Sequence, residues 1–367
     1  MGATVTEGDA ANRILFDREV DGLAARAVAG RGSDVLAVVF SQVRVPRGRY
    51  GLSRLFARTA HPCLFLNQPE AIWYRGAEDA VDAAIREAAG RSGAARVVLY
   101  GSSMGAFGAL AAAARWPGAE AIVYAPDGRI GEAGSQSAAA GLPPRSGEPS
   151  LEDLLATRAR EATTVITGLF DPYDAGVASR LAPLAEDGRV RLLPVLSGHE
   201  VHDHLYALNV VRRIISTFRR DPGAEIAARG LAARLDPGRH GRFAALAAAL
   251  RSSDPPHPDA VRALAMPDNP GVALLEASAL EARGDLDGAE RRLADVDGVI
   301  GRSPILSTLP KRYRKIVPRR RIDLLDRLGR RAEADALARE AAARFSEDAD
   351  FAARAGAGCQ TGTDEEQ

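Results

Sequence analysis

This sequence of 367 residues contains few cysteines and few lysines, and its formal net charge is zero. The two cysteines, Cys63 and Cys359, form no Cys-x-x-Cys pair, so neither a zinc knuckle nor a disulfide scaffold is indicated and a reducing compartment fits best. The only lysines, Lys311 and Lys315, do not follow a glycine-rich turn, which excludes a Walker-type phosphate loop. Basic and acidic residues number 48 each, so no global field attracts nucleic acid or an anionic membrane.

Long apolar runs are absent as well. The first 30 residues contain no apolar segment of the signal-peptide type. No stretch of the chain approaches the roughly 18 uncharged apolar residues of a membrane helix. We therefore expect a cytoplasmic protein without a membrane span. The use of Arg for nearly every basic residue, together with abundant Ala, is typical of a GC-rich bacterial genome.

The hydrophobic residues, 46% of the chain, are distributed differently in its two parts. Through residue 220, short apolar runs alternate with amphipathic helical stretches, the pattern of a mostly parallel sheet covered by helices. The runs are nearly continuous in Val, Leu and Ile, as expected for strands buried on both faces. The predicted strands are 34–40, 62–67, 96–101, 121–126, 163–168 and 190–196, and the predicted helices are 77–89, 104–116, 151–161, 175–186 and 201–218.

After residue 220, Ala, Leu and Arg recur at helical spacing. Residues 270–296 resemble one tetratricopeptide helical hairpin, because the small residues Ala277 and Ala289 would let two helices approach closely and Gly284 supplies the turn. A second, weaker copy follows at 324–344.

The expected fold class is therefore α/β, with a mostly parallel sheet flanked by helices, followed by an all-α helical-hairpin domain. This second domain is a possible surface for a protein partner. The predicted domains are 1–220 and 221–357, and the acidic tail 358–367 is predicted to be disordered.

One segment carries a pattern for nucleophilic catalysis. Gly101-Ser102-Ser103-Met104-Gly105 lies between a predicted strand and an Ala-rich predicted helix. A Gly-x-Ser-x-Gly motif in this context is a nucleophile elbow, in which small residues allow a sharp turn and the serine hydroxyl projects above the sheet. The helix beginning at Met104 points its N–H groups and positive dipole end at the same place, which favours an oxyanion there.

The partners that a nucleophilic serine needs also follow predicted strands. In the chain order serine, acid, histidine, the fifth strand leads into Asp171 and the sixth into His199. Residues 30–220 thereby resemble the α/β-hydrolase superfamily. The resemblance implies that Ser103 is the nucleophile, His199 its general base and Asp171 the residue that orients the imidazole. It implies no cofactor.

The resemblance also implies an oxyanion hole made of two backbone N–H groups. One is that of Met104, next to the nucleophile. The other follows an early strand, at Ser41 or Gln42, where family members often carry His-Gly; the sequence leaves both residues open.

Other residues compete for the acid and base roles. Asp127, at the end of an earlier strand, is the alternative acid, and His202 is the alternative base. Asp174 is interpreted as the N-cap of a helix that begins at residue 175. His199 and His202 are three residues apart rather than four, so they do not match a zincin motif and no metal is expected.

The sequence thus predicts a serine hydrolase, esterase-like, that acts on an ester or related acyl bond of a small-molecule or acylated substrate. An acyltransferase would use the same residues with another acceptor, and a non-catalytic hydrolase-fold scaffold with a helical protein-binding domain is the alternative from another class. Residues 128–150, rich in Gly, Ser and Pro, and the aromatic pair Trp73 and Tyr74 are expected to line the pocket. The basic segment 311–321 lacks interleaved aromatics beyond Tyr313, so nucleic-acid binding is not expected.

Overall fold

The computed structural model describes residues 13–159 and 162–360. Contacts divide the chain into two compact units. One contains the described residues up to Leu169 together with Tyr173–His240, and the other contains Phe170–Pro172 together with the described residues from Gly241 onward. The division falls between His240 and Gly241, later than the predicted boundary after residue 220.

The first unit is built on one eight-stranded sheet with the order β1-β2-β4-β3-β5-β6-β7-β8. Strand β2 is antiparallel to both of its neighbours, and β3 to β8 are parallel. This sheet confirms the predicted class of fold. The strands are β1 Ile14–Val20, β2 Leu23–Val28, β3 Val35–Phe40, β4 Cys63–Asn67, β5 Arg96–Ser102, β6 Glu120–Tyr124, β7 Thr163–Gly168 and β8 Arg191–Val195.

The two strands that the sequence analysis missed form the hairpin β1–β2. They are joined by Asp21 and Gly22, whose φ angles are both positive (52° and 74°). An Asp-Gly pair suits a two-residue hairpin turn that requires this conformation at both positions. Strand β1 is largely exposed, so it lacks the continuous apolar run by which the six predicted strands were located.

Helices flank this sheet. A hydrophobic core cluster lies where the apolar side chains of the strands meet those of the helices. The predicted helix 201–218 is divided in two at Asn209, which has a φ of 63°. The predicted helix 175–186 begins earlier, at Pro172. The helices that lie mainly in this unit are α1 Ser53–Phe56, α2 Glu78–Ser92, α3 Met104–Arg115, α4 Gln136–Ala139, α5 Leu151–Ala156, α6 Pro172–Glu186, α7 Val201–Ala207, α8 Val210–Ile215 and α9 Pro222–Ala227.

Backbone hydrogen bonds explain why residues beyond 220 belong to the first unit. The N–H of Leu196 donates to the carbonyl oxygen of Leu231 at 2.9 Å, and the N–H of Ala233 donates to that of Pro194 at 3.0 Å. This short segment therefore pairs with the edge strand β8. A single such bridge gives no periodic pattern, so composition alone places the boundary too early.

The second unit is helical. Both predicted hairpins are helix pairs, and their turns contain glycines with positive φ, Gly284 (82°) and Gly329 (75°). Ala277 and Ala289 are fully buried. The tetratricopeptide-like character remains a prediction. The helices are α10 Pro237–Ala249, α11 Pro258–Arg262, α12 Pro270–Ala282, α13 Leu286–Arg302, α14 Lys311–Arg327, α15 Arg331–Arg344 and α16 Ala349–Gln360, with a 3-10 turn at Leu306–Thr308.

Two further details of this unit concern the predicted tail and the basic segment. Residues 358–360 of the predicted disordered tail continue helix α16, and 361–367 lie outside the described residues. The basic segment 311–321 lies in α14, which continues through Pro318. Most of its cations pair with carboxylates inside the unit, for example Arg321 with Glu290 at 2.9 Å. No helix in the described ranges is both long enough and apolar enough to span a membrane.

Candidate active site

The junction between β5 and α3 has the geometry of a nucleophile elbow. Strand β5 ends at Ser102 and α3 begins at Met104, so Ser103 alone makes the turn. Its φ of 53° and ψ of −119° are unfavourable for a residue with a side chain. Backbone strain of this kind persists only where the surroundings fix it, and it concentrates at functional sites.

Both glycines of the motif are required by close backbone contacts. A Cβ atom on Gly101 would lie 2.2 Å from the carbonyl oxygen of Gly105, and one on Gly105 would lie 2.3 Å from that of Phe40. Real Cβ atoms do not approach backbone so closely. The glycines thus let helix α3 pack directly against the ends of β5 and β3.

Three polar side chains meet at this turn. The Ser103 Oγ lies 3.1 Å from His199 Nε2. On the other side of the ring, His199 Nδ1 lies 3.0 Å and 3.1 Å from the two carboxylate oxygens of Asp174. The side chain of Asp174 is 1% exposed and that of His199 is 18% exposed. The serine, the imidazole and the carboxylate form one hydrogen-bonded chain that runs from the partly exposed elbow into the interior.

The carboxylate in this chain is Asp174 and not Asp171, which corrects the sequence-based assignment. Helix α6 begins at Pro172, so Asp174 lies in its first turn rather than at the N-cap before residue 175. Asp171 immediately precedes that helix. Proline is favoured at the first helical position, and the Asp171-Pro172 pair is therefore the signal that could have located the true start.

The two alternative site residues have other partners. The Asp127 carboxylate accepts hydrogen bonds from the N–H groups of Gln136 and Ser137, at 3.2 Å and 2.9 Å. Burial raises the pKa of this carboxyl group, and those hydrogen bonds oppose the shift. His202 Nε2 lies 2.9 Å from the hydroxyl of Tyr100. Asp127 therefore anchors the 128–150 loop, and His202 is bound within the core.

The structure also discriminates between the two candidates for the second oxyanion donor. The N–H of Ser41 donates to the carbonyl oxygen of Leu66 at 2.8 Å, so it is already engaged in the sheet. Its hydroxyl accepts from the N–H of Gly51 at 2.8 Å. Gly105 packs against the backbone of Phe40 and Ser41 at the end of β3, and Gln42 is the residue that follows them. Its N–H is therefore the better candidate of the two.

Tyr74 has a different role from the one expected. Its side chain is buried, and its hydroxyl donates to the carbonyl oxygen of Ser41 at 2.9 Å. An added Cβ on Gly108 would lie 2.4 Å from its ring. Tyr74 thus packs between helix α3 and the end of β3. It supports the end of strand β3 next to Gln42.

This arrangement can move a proton and hold a negative charge. A carboxylate at Nδ1 favours the tautomer in which Nδ1 carries the proton, which leaves Nε2 as an acceptor facing the serine hydroxyl. The first N–H groups of helix α3, that of Met104 among them, have no acceptor within the helix. Within residues 13–159 and 162–360, no group of three or more His, Cys, Asp or Glu side chains is arranged to hold a metal ion.

Comparison with known proteins gives likenesses of fold. No family model matches the chain, and no curated protein matches it. Three similar solved structures are a capsule O-acetyltransferase of Neisseria meningitidis serogroup A, a lidless α/β serine hydrolase from Xanthomonas campestris and an α/β serine hydrolase homologue from Coxiella burnetii.

The three structures are 14%, 16% and 12% identical to this chain, with TM-scores of 0.40, 0.39 and 0.38. The matches cover 55%, 61% and 57% of this chain and 96%, 96% and 99% of the respective structures. Because all three TM-scores are below 0.5, the chemistry of the site rests on its own geometry.

Proposed function

We propose that this protein is a serine hydrolase that cleaves an ester or a related acyl bond through a covalent acyl-enzyme. Ser103 is the nucleophile, His199 the general base and Asp174 the residue that orients the imidazole. The observation that carries the proposal is the hydrogen-bonded chain from Ser103 Oγ through His199 to Asp174. Its first member sits on a strained turn between a strand and a helix.

Each residue has one task in the first half of the reaction. As the Ser103 Oγ forms its bond to the substrate carbonyl carbon, His199 Nε2 takes the hydroxyl proton. The imidazolium ion that results is stabilised by the adjacent Asp174 carboxylate. The same proton then passes from Nε2 to the leaving group as the bond to it breaks, and the acyl group remains on Ser103.

The carbonyl oxygen becomes negatively charged in the tetrahedral intermediate. The N–H groups of Met104 and Gln42 are the proposed donors to it, because they belong to the start of α3 and to the strand end beside it. The positive end of the α3 dipole adds to this stabilisation. In the second half, His199 Nε2 removes a proton from the acceptor as the acceptor oxygen forms its bond to the acyl carbon. The bond between that carbon and Ser103 Oγ then breaks, and the proton passes from Nε2 to Ser103 Oγ, which restores the serine hydroxyl.

The acceptor decides between a hydrolase and an acyltransferase. Water gives the free acid, whereas a substrate hydroxyl gives a new ester with the same three residues. The first experiment is the hydrolysis of para-nitrophenyl acetate, butyrate and octanoate, with an added alcohol to measure how the acyl group divides between the two acceptors. A product that is mostly the new ester would favour the acyltransferase.

The matched variants are Ser103→Ala and Ser102→Ala, which remove neighbouring hydroxyls. We expect Ser103→Ala to lower kcat/KM by at least about 10⁴-fold, because the covalent route is lost. Ser102→Ala should stay within a few-fold of the wild type. A Ser103→Ala protein that retains its activity contradicts the proposal. A folded wild type that cleaves none of the esters would favour the non-catalytic scaffold with a helical partner-binding region.

A further inference from the structure

One cavity lies within the first unit, and none of Ser103, His199 and Asp174 lines it. Its volume is about 290 Å³. It is lined by helices α2 and α3, by the segment 73–75, by Ile130, Glu148 and Pro149 of the 128–150 loop, and by Leu154 of α5. Its walls are mostly apolar, and they include Val81, Phe107, Ala111, Ile130 and Leu154.

Two buried side chains that line this cavity carry hydrogen-bond donors with no acceptor in the described chain. The side chain of Trp73 is 1% exposed, and its Nε1 makes no hydrogen bond with any described residue. Arg75 is 7% exposed, and its Nε and Nη1 atoms are likewise unpaired within the described ranges. Buried donors are nearly always paired. Three such donor atoms, on two side chains that line one cavity, therefore point to an acceptor that the described chain does not supply.

The backbone that carries these donors is fixed by its own contacts. The side chain of Gln68 accepts a hydrogen bond from the N–H of Tyr74 at 2.5 Å and donates to the carbonyl oxygen of Arg75 at 3.2 Å. Trp73 and Tyr74 both have positive φ angles, 59° and 61°. The donors are thus held in place before any ligand arrives, which reduces the entropy lost on binding.

The charges around the cavity indicate what kind of acceptor fits. Arg75 Nη2 is paired with the Glu148 carboxylate at 2.5 Å. The other arginine of the lining, Arg115, is paired with Asp82 at 2.9 Å. The remaining charged residue of the lining is Glu78. Because each cation already has a counter-charge, a ligand carboxylate would bring an uncompensated negative charge. A neutral oxygen acceptor needs no counter-charge.

We propose that this cavity binds a compact, apolar, uncharged molecule with a carbonyl-type oxygen, which accepts hydrogen bonds from the Trp73 indole N–H and the Arg75 guanidinium. The site is separate from the proposed catalytic residues, and the proposal holds whether or not Ser103 is a nucleophile. The apolar walls bury the body of the ligand, and the two donors fix its orientation.

The test uses three fluorinated aromatic probes of similar size. Binding of each probe to the full-length protein is measured by fluorine NMR titration. The probes are para-fluoroacetophenone, which has a neutral carbonyl, para-fluoroethylbenzene, which has no acceptor, and para-fluorobenzoate, which is charged. We expect the ketone to bind about 5-fold more tightly than the hydrocarbon, the effect of about one net hydrogen bond. Benzoate should bind most weakly. No binding of the ketone, or tighter binding of benzoate, overturns the assignment.

Three variants locate the binding. Trp73→Phe keeps an aromatic ring but removes the donor, so the preference for the ketone should fall to about 2-fold or less. Ala111→Leu fills the cavity and should abolish binding of both neutral probes. Trp116→Phe is the matched control, because the indole N–H of Trp116 is already bonded to Asp82 and the residue does not line the cavity. An unchanged preference in Trp73→Phe contradicts the proposal even if Ala111→Leu fails to fold.

Discussion

Both units of this protein contain arginine–carboxylate pairs, such as Arg115 with Asp82 in the first, but the first unit also contains a linked set of polar side chains of a different kind. In the first unit, Ser103, His199 and Asp174 form a single chain in which each member has a distinct partner. In the second unit, arginines and carboxylates on neighbouring helices form many similar pairs, such as Arg321 with Glu290 and Arg320 with Glu281. The net charge of zero is therefore consistent with internal pairing. We infer that chemistry is concentrated in the first unit, whereas the ion pairs of the second stabilise helix packing.

After Ser103→Ala, the largest expected effect separates the two aspartates at the start of helix α6. Asp174→Asn keeps the shape of the side chain but removes the charge and favours the wrong imidazole tautomer. It should lower kcat/KM by about 10³- to 10⁴-fold. Asp171→Asn should lower it by less than about 10-fold. The measurement is steady-state ester hydrolysis by both variants, and equal losses would contradict the assignment of Asp174.

A buried histidine of the first unit should make its stability depend on pH. Burial lowers the pKa of His204, in α7, from 6.5 to about 4. As the pH falls below 6.5, the unfolded chain binds a proton that the folded chain does not bind until about pH 4. The free energy of unfolding should therefore decrease by about 2 kcal/mol between pH 7 and pH 5.

Urea unfolding of His204→Gln and of the control His257→Asn at both pH values checks this prediction. His204→Gln should lose the share of the pH dependence that His204 contributes, about 2 kcal/mol. Burial also lowers the pKa of His61, so a smaller dependence of the same sign should remain. His257 is largely exposed, so its variant should retain the wild-type dependence. The prediction fails if His204→Gln and the wild type lose the same free energy of unfolding between the two pH values.

The smallest effects are expected for ion pairs of the second unit. The loss of stability on removing a carboxylate should increase with the burial of the pair. Glu290 is 7% exposed and is paired with Arg321, which is 20% exposed. Glu290→Gln should destabilise the protein by about 1 to 2 kcal/mol, because it leaves a partly buried arginine with a weaker partner. Glu347 is 79% exposed, and Glu347→Gln should have no measurable effect. Chemical unfolding of both variants tests the difference, and similar values for the two would refute it.

Local sequence patterns predicted much of the first unit. The six predicted strands were located because their apolar runs are nearly continuous. Ser103 and His199 were proposed because each lies just after a predicted strand, and the structure places their side chains 3.1 Å apart. The hairpin β1–β2 was missed because β1 is mostly exposed, although Asp21-Gly22 was a usable turn signal.

The other features of the site depend on where a helix begins, to within a few residues, and on contacts between residues that are distant in sequence. The assignment of Asp171 instead of Asp174 resulted from placing the start of one helix three residues too late. The choice of Gln42 over Ser41 requires knowing that the Ser41 N–H donates to Leu66 across the sheet. No local pattern contains that hydrogen bond. The unpaired donors of Trp73 and Arg75 likewise become visible only once their burial is known.

The most direct test of the account is covalent labelling with a fluorophosphonate probe, followed by peptide mass spectrometry to identify the modified residue. We predict that the wild type is labelled on Ser103, and that Ser103→Ala and His199→Ala both lose the label while remaining folded. Labelling that persists in folded Ser103→Ala, or a folded wild type that takes up no label, would contradict the proposal that Ser103 is an activated nucleophile.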